Sequence, residues 1–264
     1  MNSLKQTYAP AAGSSARPGY GETLRTLAVA QKAAAPGAPA YSVYINRKLG
    51  RFLAAGAYLL GLTPNMVTAI SASFTFAAIL AIAIVPPTLF LGIAVALSLA
   101  VGYAFDSADG QVARLRGGGG PAGEWLDHVV DCIKISSLHL AVLISAYRFF
   151  SLPSDLLLLV PIGYAIVGAV SFFAMILNDQ LKAVYSGSKK SKYPSGGSTL
   201  LRSLLVVPTD YGLLCLVFVL LGAPQVFFAA YALLFVANLG YTALALPKWF
   251  RDMTRIDHRG AARS

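Results

Sequence analysis

The sequence predicts an all-α integral membrane protein with six transmembrane helices preceded by an interfacial amphipathic helix. Of its 264 residues, 56% are hydrophobic and 12% charged, and the mean hydropathy is +0.65. A soluble domain carries roughly 25% charged residues. The apolar residues also form blocks near the roughly 20 residues that cross a bilayer, too long for the alternating strands of an outer-membrane barrel. These observations exclude an ordinary soluble domain and a disordered chain.

The chain before the first apolar block has two parts. Residues 1–40 are rich in Ala, Gly, Pro and Ser without periodic apolar spacing, which predicts a mobile cytosolic N-terminal tail. They contain no apolar core, so we expect no signal peptide. Residues 41–61 combine a basic half with an apolar half. This pattern favours a helix lying in the membrane interface over a solvated helical linker.

Six candidate spans occupy a catalytic domain at residues 62–247. Each is an apolar block near the required length, and Pro or Gly residues mark several of the turns between them. The blocks are Met66–Val85, Thr88–Phe105, Trp125–Phe149, Leu156–Leu177, Leu200–Leu221 and Val226–Leu246. Because the number of crossings is even, both termini lie on one side. Residues 248–264 then form a basic cytosolic C-terminal tail.

The basic residues predict the orientation of the chain. The formal net charge is +10, and every Lys and Arg except Lys134 and Arg148 lies in a tail, the interfacial segment or the loops after the second and fourth spans. Such loops face the anionic cytosolic leaflet. We therefore expect a multi-pass protein of the cell's inner or plasma membrane, with cytosolic termini, lipid contacts and no nucleic-acid binding. Cys132 and Cys215 lie in apolar blocks and predict neither disulfides nor a zinc site.

Four aspartates at the ends of two spans form the most informative cluster. Asp106 and Asp109 are three residues apart, and Asp127 and Asp131 are four apart, so each pair shares one helical face. A glycine run ending in Pro121 separates the pairs and allows two antiparallel helices to bring them together. Carboxylates near hydrocarbon are costly and mark functional sites. An oxygen-only cluster suits Mg²⁺ or Mn²⁺, and two such ions would balance four negative charges.

The same residues carry a family resemblance. The segment from Asp106 to Asp131 resembles the signature D-x2-D-G-x2-A-R-x8-G-x3-D-x3-D of the CDP-alcohol phosphotransferases, and every specified position is matched. The resemblance implies transfer of a substituted phosphate from a CDP-linked donor, expected to be CDP-diacylglycerol, to an alcohol acceptor with release of CMP in phospholipid biosynthesis. It also implies a homodimer. A soluble CDP-alcohol acting on a lipid or polyol acceptor is the alternative.

The resemblance also implies roles for individual residues. Asp106, Asp109, Asp127 and Asp131 would hold two Mg²⁺ or Mn²⁺ ions, and Asp131 would be the general base. The donor nucleotide would lie against a further set of residues, which comprises Asp109, Gly110, Ala113, Arg114, Gly123 and Asn65. Small-residue helix packing could equally explain Gly110 and Ala113, and capping beside Thr63 and Pro64 could explain Asn65.

Four other residues have more than one reading. Lys134, one turn beyond Asp131, pairs locally with an acid or contacts an acceptor phosphate, and Arg202 is our candidate for a second such contact. His128 is expected to face a neighbouring helix, since adjacent residues on a helix point apart. Asp210 is either buried with a partner or lines the substrate cavity. A divalent-cation transporter remains the rival function, although the four motif acids lie at one edge.

Overall fold

The computed structural model describes residues 19–30, 39–185 and 207–261, with side chains as far as Ile256 in the last range. Within these ranges the regular structure is helical. We number the α-helices in chain order, and they are α1 (Tyr20–Val29), α2 (Arg47–Leu59), α3 (Pro64–Ile84), α4 (Leu89–Leu115), α5 (Pro121–Phe149), α6 (Leu159–Tyr185), α7 (Tyr211–Val217) and α8 (Pro224–Ala261). A π-helical turn, Ser42–Asn46, leads into α2, and 3₁₀ turns flank α7.

Five helices are long and apolar enough to cross a membrane: α3, α4, α5, α6 with the 3₁₀ turn that precedes it, and α8. They correspond to five of the six predicted spans. The observed α4, α6 and α8 continue beyond the predicted ends, because polar turns extend a helix past its apolar block. Helix α8 thereby includes residues 248–261, which we predicted to be part of a separate C-terminal tail. The remaining candidate, Leu200–Leu221, begins outside the described residues. Its described part is the short apolar helix Tyr211–Gly222, so six crossings remain a prediction.

One described part of the predicted N-terminal tail is helical. We expected a mobile tail throughout residues 1–40, but within the described residues Tyr20–Val29 form a helix that packs against α2. Thr23 and Leu27, one turn apart, are buried, and the Tyr20 hydroxyl donates a hydrogen bond to the carbonyl of Phe52 at 3.2 Å. The sequence gives little indication of this helix, because only two of its positions are buried and two positions are too few to show periodicity.

The predicted interfacial segment is helical, and its contacts explain its sequence. On α2 the buried positions are small, namely Gly50, Ala54, Ala55 and Ala57, and they pack against α4. A Cβ atom at Gly50 would lie 2.8 Å from Cβ of Ser107, so glycine permits this close approach. Large apolar side chains such as Phe52 and Leu60 are exposed, which supports the proposed membrane-interface location.

Helix α3 organises the end of the molecule that carries the aspartates. It begins with Thr63 as N-cap and Pro64 at its first position, as predicted, and the Thr63 hydroxyl accepts from the Met66 amide at 3.2 Å. Helix α3 packs against both α4 and α5, whereas the backbones of α4 and α5 barely approach each other within the described structure. Side chains rather than backbones therefore bridge the space between α4 and α5 where the aspartates lie, and we call this space the crevice.

Candidate active site and metal centre

The turn between α4 and α5 places the two aspartate pairs opposite each other. Helix α4 ends at Leu115, and Gly117 and Gly118 adopt positive φ angles of 92° and 119°, which glycine accepts without steric cost. The Gly118 amide donates to the carbonyl of Ala113 at 2.8 Å and closes the end of the helix. Helix α5 then starts with Pro121 at its first position. The helix break predicted from the glycine run is confirmed.

Three of the four aspartates meet across the crevice. One carboxylate oxygen each from Asp106, Asp127 and Asp131 lies within 4.8 Å of the others. All three are partly buried, so their mutual repulsion is poorly screened. Oxygen atoms converging from two helices are the donor set that Mg²⁺ and Mn²⁺ prefer. The residues present thus fit a hard divalent cation, and an acidic cluster that could bind metal is a feature of the structure.

Lys134 supplies the positive charge in this cluster. Its ammonium lies 2.5 Å from Oδ1 of Asp106 and 2.6 Å from Oδ1 of Asp131, and the residue is only 7% exposed. The ion pair expected from its position one turn beyond Asp131 is therefore present. Lys134 also pairs with Asp106 on α4. The spacing of residues along α5 could not predict this second ion pair.

Asp109 stands apart from the other three carboxylates. It is 7% exposed, and its Oδ2 atom accepts a 2.6 Å hydrogen bond from the hydroxyl of Thr68 on α3. Its charge still acts on the cluster, because Asp106 and Asp127 are close enough to interact with it electrostatically. The fourth predicted ligand is thus beside the group but oriented by α3. The sequence does not single out Thr68, whose only signal is its place one turn after Pro64.

Gly110, one of the proposed nucleotide-facing residues, is exposed on α4. A Cβ atom built at Gly110 would find only the Arg114 guanidinium within 4 Å, at 3.8 Å. Helix packing therefore does not require glycine there, in contrast to Gly102, where the added atom would overlap the Thr75 hydroxyl. Across the crevice, a Cβ atom at Gly123 would lie 3.4 Å from Oδ1 of Asn65. The structure thus places Asn65 next to the second motif segment.

Arg114 lies on the same face of α4 as Gly110. It lies one turn after Gly110, and its Nε atom is buried without a hydrogen-bond partner among the described residues. Ala113, the small residue beside it, is partly buried and lies near the turn, since a Cβ atom at Gly119 would be 3.8 Å from that of Ala113. A ligand lying along this side of α4 would meet the Arg114 guanidinium beside the small residues Gly110 and Ala113.

Three further predicted residues have different outcomes. Arg202 lies outside the described residues, so its role stays a prediction. The His128 ring lies edge-on to Phe172 on α6, with ring centroids 6.3 Å apart, which confirms its expected contact with a neighbouring helix, and its Nε2 atom is 3.9 Å from Oε1 of Glu124. Asp210 is buried and accepts hydrogen bonds from backbone amides, so the first of its two readings is correct.

Comparison with known proteins places the motif in context. A family model described as CDP-alcohol phosphatidyltransferase matches residues 61–244, which is more than half of the chain. The chain belongs to the CDP-alcohol phosphatidyltransferase family. As a member of this family it is an enzyme, a transferase of phospholipid synthesis. The resemblance drawn from the motif is thereby confirmed, and the rival transporter function loses its basis. A comparison with curated proteins found no significant match.

The fold also resembles solved structures. One is the phosphatidylinositol phosphate synthase (PgsA1) of Mycobacterium tuberculosis with CDP-DAG bound, which is 22% identical with a TM-score of 0.50 over 78% of this chain and 94% of that chain. A second structure of the same synthase, in complex with manganese and citrate, has 22% identity and a TM-score of 0.47 over 78% and 89% of the two chains. At this identity the first similarity concerns the fold alone.

Proposed function

We propose that this family member transfers the phosphatidyl group of CDP-diacylglycerol to a hydroxyl of a polar alcohol and releases CMP. The observation that carries this proposal is the convergence of Asp106, Asp127 and Asp131 on one crevice within an intact family motif. The five apolar helices support a lipid donor. The similarly folded synthase, whose structure contains CDP-DAG, supports the same donor.

The aspartates would hold two Mg²⁺ or Mn²⁺ ions, with Asp106, Asp127 and Asp131 contributing the oxygens that already converge and Asp109 the fourth carboxylate. When bound, the ions would neutralise the negative charge that develops on the phosphate during transfer. The Thr68 hydrogen bond keeps the Asp109 side chain in one orientation. Gly110 and Ala113 leave room for the nucleotide against α4, and Arg114 pairs with a donor phosphate.

In the proposed reaction, the alcohol oxygen of the acceptor bonds to the phosphatidyl phosphorus. The bond from that phosphorus to the oxygen bridging it to the cytidylyl group breaks, and the bridging oxygen leaves with CMP. Asp131 accepts the proton of the attacking hydroxyl, since a carboxylate at the edge of the cluster can act as a general base. Lys134, beside Asp131, contacts a phosphate of an anionic acceptor. Arg202 would add a second cationic contact.

Release of CMP by the purified protein tests the proposal. With Mg²⁺ or Mn²⁺ and CDP-diacylglycerol, a panel of polar alcohols that includes glycerol 3-phosphate and inositol phosphate is expected to give CMP and a phosphatidyl product, identified by mass spectrometry. Asp131→Asn is expected to lower the rate by about 10³-fold, within the usual contribution of general-base catalysis. Asp155→Asn is the matched control, because Asp155 lies in the 3₁₀ turn before α6, well removed in sequence from the motif.

Two results would contradict the proposal. Turnover of soluble CDP-alcohols alone would show that the donor is not CDP-diacylglycerol. Unchanged CMP release by Asp131→Asn, at the rate of the Asp155→Asn control, would show that Asp131 does not act as the base.

A further inference from the structure

Tyr211 has a buried hydroxyl that forms no conventional hydrogen bond within the described part of the chain. It is the first residue of α7, and its hydroxyl oxygen makes no conventional hydrogen bond with any residue that the structure describes. The Cys215 thiol, one turn along the same helix, is within hydrogen-bonding reach of this hydroxyl, but a thiol is only a weak hydrogen-bonding partner. An unpaired buried hydroxyl destabilises a protein, and phenylalanine would fill the same space without this cost.

The hydroxyl lies beside the carboxylate cluster. The Tyr211 ring packs edge-on against the ring of Tyr103, with centroids 5.1 Å apart, and Tyr103 is three residues before Asp106 on α4. The charges of Asp106 and Asp131 both act on the Tyr211 hydroxyl. Tyr211 is therefore next to the residues proposed to hold the metals and to accept the proton, although the motif does not include it.

Several contacts fix this tyrosine in place. The carboxylate of Asp210 caps α7, accepting from the Gly212 amide at 2.9 Å, and also accepts from the Ser42 amide at 3.0 Å. A Cβ atom at Gly212 would overlap the Tyr41 ring, so the segment before α2 packs directly on the start of α7. The side-chain amide of Asn238 on α8 donates to the Pro208 carbonyl at 3.2 Å. The unpaired hydroxyl is thus held by a well-anchored helix start.

The position of Tyr211 assigns it to the acceptor side of the crevice. The proposed nucleotide-facing residues Gly110 and Arg114 follow Asp106 along α4, whereas Tyr103, which contacts Tyr211, precedes it. Lys134, proposed to face the acceptor, is close enough to interact electrostatically with Cys215 on α7. These relations favour the end of the crevice opposite the proposed nucleotide site, on the side of Asp131 and Lys134, as the place of the hydroxyl.

We propose that the Tyr211 hydroxyl binds the acceptor alcohol by donating a hydrogen bond to one of its oxygens, and so directs the attacking hydroxyl toward Asp131. This inference rests on the proposed function, because it takes the base and the acceptor side from it. An oxygen of the bound acceptor then supplies a stronger hydrogen-bond partner than the Cys215 thiol. No residue of the motif predicts this contact.

Kinetics and stability of Tyr211→Phe test the inference, because the substitution removes only the hydroxyl and keeps the ring against Tyr103. In the CMP-release assay with CDP-diacylglycerol and either glycerol 3-phosphate or inositol phosphate as probe, KM for the acceptor is expected to rise about five- to tenfold. KM for the donor is expected to stay within about twofold of the wild-type value, because the donor does not contact this hydroxyl.

The melting temperature of the full chain in detergent separates a binding role from a structural one. Tyr211→Phe is expected to leave Tm unchanged or to raise it, because only a weak contact with the Cys215 thiol is lost. Tyr231→Phe is the matched control: the Tyr231 hydroxyl is bonded to Nδ1 of His139 at 2.7 Å inside the helix bundle. Its removal is expected to lower Tm and to leave KM for the acceptor unchanged.

The possible failures are distinguishable. A Tyr211→Phe variant with unchanged acceptor KM, or with a raised donor KM instead, would overturn the inference. So would a fall in Tm like that of Tyr231→Phe, which would show that the hydroxyl is bonded within the protein. Because Tm requires no turnover, a wild-type enzyme that releases no CMP from CDP-diacylglycerol would refute the proposed function while the stability of Tyr211→Phe is still measured.

Discussion

The ammonium of Lys134 on α5 lies 2.5 Å from a carboxylate oxygen of Asp106 on α4. This ion pair bridges the two helices at the crevice, and a second contact at 2.6 Å joins the same ammonium to Asp131. Both acids are proposed metal ligands. Lys134 therefore interacts with oxygens that a divalent cation would need, and it neutralises part of the repulsion among three neighbouring carboxylates.

Lys134→Met is expected to lower the stability of the metal-free protein and to raise its affinity for a divalent metal. Loss of the buried cation leaves the carboxylates without their partner, which we expect to lower the free energy of unfolding by about 2 kcal/mol, less than for a fully buried pair. The same loss removes a competitor for the oxygens, and Mn²⁺ affinity is expected to rise about tenfold. Thermal unfolding without metal and Mn²⁺ titration followed by electron paramagnetic resonance measure the two effects.

Arg116→Met is the control for this charge change. The Arg116 guanidinium donates to the Leu62 carbonyl at 3.0 Å and lies over the Tyr58 ring, and it forms no ion pair with the cluster in the described structure. Its removal is expected to alter Mn²⁺ affinity by less than about threefold, because solvent and salt screen the distant charge. Equal Mn²⁺ affinities for Lys134→Met and the wild type would contradict direct competition.

Gly110→Ala is expected to impair donor binding without lowering the stability of the fold. The added methyl meets only the Arg114 guanidinium, and alanine favours a helix by up to about 1 kcal/mol over glycine, so Tm is expected to hold or rise. The methyl enters the space proposed for the nucleotide, and KM for CDP-diacylglycerol is expected to rise about tenfold, as for a tightly packed contact. A lower Tm with unchanged donor KM would indicate that Gly110 serves packing.

Gly102→Ala, on the same helix, is expected to lower the stability of the fold without impairing donor binding. There the methyl would overlap the Thr75 hydroxyl at the contact between α3 and α4. We expect this overpacking to lower the free energy of unfolding by about 1–3 kcal/mol. The kinetic constants of the folded fraction should change little. Steady-state kinetics together with thermal unfolding compare the two variants.

Thr68→Val is expected to lower activity by releasing Asp109. The side chains have nearly the same shape, but valine cannot donate the 2.6 Å hydrogen bond to Oδ2 of Asp109. We expect CMP release to fall about tenfold, a loss equivalent to one charge-assisted hydrogen bond. Thr75→Val, buried on the same helix, serves as control with a change within about twofold. Equal rates for both variants would show that Thr68 does not orient the carboxylate.

Asp210→Ala is expected to destabilise the fold at the start of α7. The substitution leaves the amides of Ser42 and Gly212 buried without their common acceptor, which we expect to cost about 2 kcal/mol. Asp210→Asn keeps one acceptor oxygen and is expected to cost about half as much. Thermal unfolding in one detergent compares the three proteins. A Tm for Asp210→Ala equal to that of the wild type would refute the capping role.

The fold was predictable where a long apolar block dominates the energetics. Helices α3, α4, α5, α6 and α8 coincide with predicted spans because a bilayer requires long apolar helices. Short elements were less predictable. The helix Tyr20–Val29 depends on burial of Thr23 and Leu27 against α2, and the helix around Tyr211 depends on the cap from Asp210. These stabilising contacts join residues that are far apart in sequence, so no local pattern reveals them.

The candidate site likewise has features that the sequence predicts and features that only the tertiary structure decides. The sequence by itself determined the chemistry of the site and the family, because four aspartates at helical spacing and the glycine turn between them are local features of one 26-residue segment. Only the tertiary structure decided which groups meet: Thr68 beside Asp109, Lys134 between Asp106 and Asp131, and Tyr211 beside the cluster. Those partners come from separate helices, and the distances between helices are set by side-chain packing rather than by spacing along the chain.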